Sequence, residues 1–346
     1  MNARYRVRPE FGPGTSCRLL WVVTWLLCGG SGRAVESSWV WRGDDGLLDY
    51  QVEADGDRIP DFSMVGFGAG WSDLPATPPV MITVAAATGD STARIQAAID
   101  QAARLPLQPS GFRGAVQLAP GDFESAGQLR IATSGVVLRG SGTTGSSLSR
   151  LIATGTSTRD LIAIGDATAR PSYQGSTIGI VADRVPVGAT SFAVTSTTGL
   201  TVGQAINVNW TSNQAWIDAN GMDKLANPWL PGQRQQNSDR IITRIEGNRV
   251  VLDAPITTAI DKVYGGGTIQ RYAFPGRITH VGIENLVGQS LASRNESNEA
   301  RAWSFIGVAA AEHVFARDIE ARHFVYAAVD AKSNSKFVTV ANASSV

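Results

Sequence analysis

GDSTARIQAAIDQAARLPLQPSGFRGAVQLAPGDFESAGQLRIATSGVVLRGSG, residues 89–142, changes its hydrophobic period part-way along. Ile95, Ala98, Ile99 and Ala102 come first, at i, i+3, i+4 and i+7, which sets one apolar stripe along a helix. Asp90 or Ser91 can cap that helix, because a side-chain oxygen accepts from the free amides of a first turn. Pro106 and Pro109 stop it. Short β runs follow at 115–118, 128–131 and 136–138, with glycine-rich corners between them. Pro120-Gly121 suits a turn whose second central residue takes a positive φ. One helix and then many strands, with no helix between them, argues against an alternating α/β fold and predicts a solenoid. The helix would cover the open end, where apolar core and strand amides are otherwise exposed.

The same stretch resembles the N-terminal opening of the pectate lyase superfamily, the pectin-lyase-like proteins, in its rhamnogalacturonase- and epimerase-like form. The resemblance rests on Gly89, Asp90, Thr92, Ile95, Gln96, Ala97, Ala98, Ile99 and Asp100, then on Gly114, Val116, Leu118, Pro120, Gly121 and Phe123. It implies an all-β fold, a right-handed parallel β-helix with an N-terminal capping helix. On reaction it is nearly silent, because the superfamily holds lyases, hydrolases, epimerases and non-catalytic phage and adhesin modules.

The 346 residues suffice for one long domain or two smaller ones. Thirty basic residues balance thirty acidic ones, which gives no support to nucleic acid or an anionic membrane surface as a partner. Thirty-seven glycines with only 17% charged residues fit a turn-rich β protein. LLWVVTWLLC, residues 19–28, is an apolar run preceded by Arg4, Arg6, Arg8 and Arg18, and Gly32-Arg33-Ala34 offers small residues for a cut after Ala34. That anatomy predicts a signal peptide over 1–34 and hence secretion. The run is too short to span a bilayer, which takes about 20 residues. Cys17 and Cys28 both fall inside this leader, so the mature chain would have neither disulfides nor thiol chemistry.

An N-terminal arm is expected over 35–90. Its Asp55, Asp57 and Asp61 read as turn chemistry, with a calcium loop as the competing reading, although no complete calcium-loop spacing is present. Phe62, Phe67 and Trp71 are expected to pack the arm along the solenoid. The first coils, with the capping helix, take 91–173. Residues 174–272 break the rhythm: apolar and polar residues alternate, and Ile241, Ile245, Val250 and Leu252 flank Gly247-Asn248 as a hairpin. This predicts a small antiparallel β module inserted in the β-helix. Coils resume over 273–346, where Val-x-apolar-x-Asn/Asp occurs at Val281/Ile283/Asn285, Val314/Ala316/Asp318 and Val338/Val340/Asn342. Those starts lie 33 and 24 residues apart, so the first interval is a coil carrying a loop, placed at 289–299. The Asn or Asp would sit at a corner, where a left-handed backbone is tolerated.

A narrower resemblance covers roughly 43–346. DGDRIPDFS (55–63), GMDKLANPW (221–229), RIITRIEGNRVVLDAPITTAIDKVYGGGT (240–268), FPGRITHVGIENL (274–286) and RDIEARHF (317–324) resemble a group of secreted superfamily members with the same insert. Such proteins continue for several more coils. The resemblance therefore implies a C-terminally truncated chain whose open last edge invites self-association.

Polysaccharide lyases of this fold need a base, and positive charge, often calcium, to stabilise an enolate. Hydrolases need two carboxylates flanking the bond. The richest set is Arg317, Asp318, Glu320, Arg322, His323, Tyr326, Asp330 and Lys332. Within it His323, Lys332, Asp330 and Arg322 are the catalytic candidates. The competing reading makes Asp318 a corner residue, and Arg317 and Glu320 solvated partners. Asp223 and Lys224 on the insert loop, with Trp216 and Trp229, are the substrate-binding candidates, and core packing is the alternative for the tryptophans. No metal ligands are assigned, and calcium as a cofactor is left open. The expectation is a secreted protein acting on a polysaccharide, lyase ahead of glycoside hydrolase. The alternative is a non-catalytic carbohydrate-binding or surface solenoid, or an inactive fragment of a longer enzyme.

Overall fold

The computed structural model describes residues 37–46, 48–70, 73–76, 78–291 and 299–346. The predicted leader, Trp71 and most of the loop at 289–299 lie outside the described residues. The chain divides into two compact units. One joins Met1–Asp61 to Thr177–Gln270; the other joins Phe62–Ser176 to Arg271–Val346.

The second unit is a parallel β-helix. Val80–Val84, Gly114–Leu118, Val136–Arg139, Ile278–Ser290, Ala311–Arg322 and Lys336–Ser345 lie side by side as one parallel sheet. Leu129–Ile131, Arg159–Ile164, Ala302–Val308 and Ala327–Ala331 form another. Gly121–Ser125 and Ser149–Ala153 extend the first sheet beside the far end of Ile278–Ser290. Leu118, Phe123, Leu138, Ile162, Ile283 and Phe305 are among the side chains that fill the space between the sheets, each fully buried.

The helix read from the apolar stripe spans Thr92–Ala103 and ends before Pro106. Ile95, Ala98, Ile99 and Ala102 are its buried residues and join the same core. Burying each isoleucine contributes about 1.5–3 kcal/mol. Its polar residues stitch it to the coils. Gln96 accepts from the Arg130 amide at 2.8 Å and donates to the Arg130 carbonyl at 3.0 Å. Arg130 belongs to the outermost strand of its sheet, so one side chain satisfies both backbone groups that an edge leaves open. Asp90 Oδ1 accepts from the amides of Thr92 and Ala126 and from the Thr92 hydroxyl. Those bonds, led by the hydroxyl, hold the Asp90 carboxyl below its ordinary pKa. Ser91 occupies the N-cap position without capping through its side chain.

The corner residues behave as the repeat predicts. Val281, Val314 and Val338 are in register across three strands. Asn285, Asp318 and Asn342 take φ of 52°, 53° and 50°. Asn342 donates to the Asp318 carboxylate at 3.0 Å, as stacked corners should. A second left-handed column holds His280, His313 and Phe337.

Two side-chain layers decorate this sheet's outer face. Glu284, with 1% of its side chain exposed, lies between Arg139 at 2.5 Å and Arg317 at 2.6 Å. Each arginine also donates to a carbonyl of the neighbouring segment, Arg139 to Pro78 and Arg317 to Pro75. Arg317 is therefore a half-buried partner of the buried Glu284, which corrects its reading as a solvated partner. Beside this triad, Phe67, Phe112 and Phe315 are buried together with Ala115 and Val137. The Phe315 ring lies over Gly282, where an added Cβ would come within 2.1 Å of it. Phe62 is 57% exposed and takes no part, contrary to expectation.

The first unit is built on antiparallel pairs. Ala205–Thr211 pairs with Gln235–Glu246, which pairs with Arg249–Leu252, which pairs with Ser191–Ala193. Ile245 faces Val250 across the expected hairpin turn. Ile206, Val208, Ile242, Val250 and Ile269 form its core, and Trp210, 9% exposed, packs with them.

Candidate functional site

The acidic turn of the arm is occupied from within the chain. Arg184 bonds Asp55 at 2.9 Å and Asp57 at 2.6 Å, and it also bonds Asp261. Asp57 Oδ1 further accepts from the Val187 amide at 2.8 Å. The bond to Asp261, assisted by the charges of Asp57 and Asp55, raises the Arg184 pKa against desolvation. A guanidinium stands where a calcium ion would need to be, so the donor set does not fit that ion. Among the described residues no group of three or more His, Cys, Asp or Glu side chains is placed to hold a metal.

Arg184 and Asp261 also line an open cavity of about 470 Å³, with Trp210, Trp216, Gln236 and Tyr264 among its other walls. The local sequence explains the aromatic wall. Asn213 caps the short helix Gln214–Ala219 by accepting from the Trp216 amide, and that fixes where the indole leaves the backbone. Trp216 then meets Trp210 edge to face at 5.1 Å between centroids. Trp229 stacks on Trp216 at 5.9 Å, and the Arg234 guanidinium lies over Trp229 at 3.9 Å. Trp229 is thus sandwiched, whereas Trp216 reaches the cavity. Asp223 and Lys224 lie exposed on the turn Met222–Lys224.

The second candidate lies on the β-helix. Lys332 Nζ is 2.5 Å from Asp160 Oδ2 and 3.7 Å from Asp330 Oδ2. Arg159–Ile164 carries Asp160, and Ala327–Ala331 carries Asp330, with Ala302–Val308 between them. Gly307 on that middle strand leaves room: a Cβ there would come within 2.2 Å of Asp160 Oδ2. Asp160 Oδ1 is buried with no hydrogen-bond partner among the described residues. Trp303 and Tyr326 stack beside these strands at 5.6 Å, and Tyr326 is largely exposed.

The structure thus joins two of the four catalytic candidates, Asp330 and Lys332. Arg322 is paired with Glu320 at 2.6 Å. His323 is exposed at the end of its strand, with φ 59° and its amide bonded to the Val346 carbonyl. Asp160, Arg184, Asp261, Gln236 and Tyr264 escaped the sequence reading. Asp160 stands 172 residues before Lys332 and had only an Arg-Asp step ahead of the apolar run LIAI to mark it.

No family model matches the chain, and no curated protein matches it. Among solved structures, the tailspike protein gp49 from Pseudomonas phage LKA1 is 16% identical, with TM-score 0.35, over 70% of this chain and 32% of that one. The gp54 tailspike of Acinetobacter baumannii bacteriophage AP22, solved in complex with A. baumannii capsular saccharide, is 8% identical, with TM-score 0.34, over 74% and 44%. Polygalacturonase from Erwinia carotovora ssp. carotovora is 9% identical, with TM-score 0.21, over 79% and 64%. The chain spans less than half the length of these tailspikes.

Proposed function

We propose that this is a secreted protein that binds a polysaccharide through the tryptophan-walled cavity. One observation carries the reading: Trp216, braced edge-on by Trp210, faces a cavity shared with Gln236, Asp261 and Tyr264. Small-molecule sites combine apolar walls with a few placed polar groups. An indole face suits the C–H face of a pyranose, and the polar groups suit its hydroxyls. Asp223 and Lys224 serve as outer contacts in this reading. The helix Thr92–Ala103 caps a right-handed coil, 174–272 is an inserted module, and the outer edge of Lys336–Ser345 takes a strand of a second copy. The test is titration of the full chain with a panel of oligosaccharides. At least one should bind, and Trp216→Ala should weaken it tenfold or more while Trp229→Ala changes it less. Binding unaffected by Trp216→Ala would reject the cavity as the site.

A second activity is favoured by the Asp160–Lys332–Asp330 cluster of the β-helix unit: hydrolysis of a glycan held at that cluster. Elimination needs an unprotonated base, and Lys332, donating to Asp160, is placed as a donor. Two carboxylates sharing one lysine across a single strand match hydrolysis, where one carboxyl protonates the leaving oxygen and the other activates water. Asp330→Asn should abolish release of new reducing ends and leave the melting temperature nearly unchanged. An unsaturated, ultraviolet-absorbing product would instead establish a lyase.

A further inference from the structure

We infer that the cavity beside Trp216 selects uncharged sugar residues and rejects uronates. The inference rests on the saccharide-binding reading and adds the class of sugar. Recognition of a uronate calls for a cation with donors to spare, since carboxylates are held best by bidentate guanidinium or by ammonium groups. Arg184 and Asp261 are the charged side chains lining the cavity. Arg184 is largely committed: three of its five N–H groups already hold three carboxylates. One terminal nitrogen donates to Asp261, and the other donates to Asp57 at 2.6 Å and Asp55 at 2.9 Å. Its Nε is buried with no hydrogen-bond partner among the described residues, and it is turned away from water with only one hydrogen to offer. Three carboxylates surround one guanidinium, so negative charge is in excess around Arg184, and Asp261 is the carboxylate of the three that lines the cavity. The outer cations do not line it: Arg234 lies over the face of Trp229, and Lys224 is exposed on the turn Met222–Lys224.

A uronate carboxylate entering here would meet that excess with water partly excluded, which strengthens repulsion between like charges. A hexose or N-acetylhexosamine carries no charge to be repelled. It would stack on Trp216, donate hydroxyls to Asp261 and exchange hydrogen bonds with Gln236 and Tyr264, all of which line the same space.

The experiment is titration of the full chain with three oligosaccharide sets of matched length: uncharged hexose and N-acetylhexosamine chains, uronate chains and amino-sugar chains. Each is measured at low and high salt. The uncharged set should bind at least tenfold tighter than the uronates, with little salt dependence. Any residual uronate binding should tighten as salt screens the repulsion. Asp55→Asn combined with Asp57→Asn should release Arg184 and raise uronate affinity, with uncharged binding unaltered. Uronates binding best, or weakening as salt rises, would overturn the inference while leaving saccharide binding intact. Amino sugars binding best would overturn it as well, by showing that the excess negative charge attracts cations. If none of the three sets binds, the binding reading fails and the inference falls with it.

Discussion

His313 Nδ1 accepts the backbone N–H of Gly68 at 3.1 Å, and only an unprotonated nitrogen can do so. Phe67, Phe337 and His280 surround the His313 ring. Burial lowers the pKa of both histidines; Glu312 opposes this for each, and His280 and Lys336 add to the lowering at His313. The folded values lie below the ordinary 6.5, so the unfolded chain takes up protons first as pH falls. Stability should be full above about pH 6.5 and decline below it, down through the folded values. His313→Asn keeps an acceptor and tolerates the left-handed backbone. Its melting temperature should fall less than that of the wild type between neutral and mildly acidic pH. Parallel pH curves for the two proteins would refute the assignment.

Glu284 answers to two arginines and almost no water. Glu284→Gln preserves its shape and removes the charge, leaving the buried Arg139 and the half-buried Arg317 without their shared counter-ion. Breaking a buried pair this way costs about 3–5 kcal/mol. Chemical denaturation should show a loss of that order. A loss below about 1 kcal/mol would mean that water reaches the arginines.

Phe315 covers Gly282, so Gly282→Ala pushes a methyl into the ring. Overpacking of this kind costs typically 1–3 kcal/mol. Phe315→Leu should relieve part of the strain, so the double variant should be more stable than the two single losses predict. Strict additivity in thermal denaturation would show that the two positions do not touch.

Gln96 satisfies an edge strand from a helix. Gln96→Ala leaves the Arg130 amide and carbonyl without these partners, at a cost of roughly 1–3 kcal/mol if they stay shielded. Hydrogen exchange at the Arg130 amide should accelerate much more than at Val137, deep in the other sheet. Equal exchange before and after substitution would place the stitch elsewhere.

The sequence foretold those features whose cause is local. The stripe of Ile95 and Ile99 specifies a helix through spacing alone, and Asn285, Asp318 and Asn342 announce corners because few other residues accept a left-handed backbone cheaply. The hairpin around Gly247 is equally local. Contacts made by stacking distant coils were not legible. Glu284 meets Arg139 across 145 residues, and Lys332 meets Asp160 across 172. Nothing in the run DLIAI says which later rung will lie above it, and a loop of unmarked length intervenes. The catalytic candidates were grouped by closeness in sequence, but a coil bends sharply between Arg322 and Ala327. Neighbours in the chain such as His323 and Lys332 consequently found different partners.

The left-handed corners Asn285, Asp318 and Asn342 recur at the same place on three successive rungs, and the pairing of Glu312 with Lys336 through Ala321 with Ser345 runs without a slip. Each bend is therefore set by its own residues and owes nothing to the number of rungs on either side. A gene encoding such a chain can lengthen or shorten by whole coils, through duplication or deletion, and keep its cross-section. Coil number then sets the length of the β-helix and can change without touching the residues that line the cavity of the other unit.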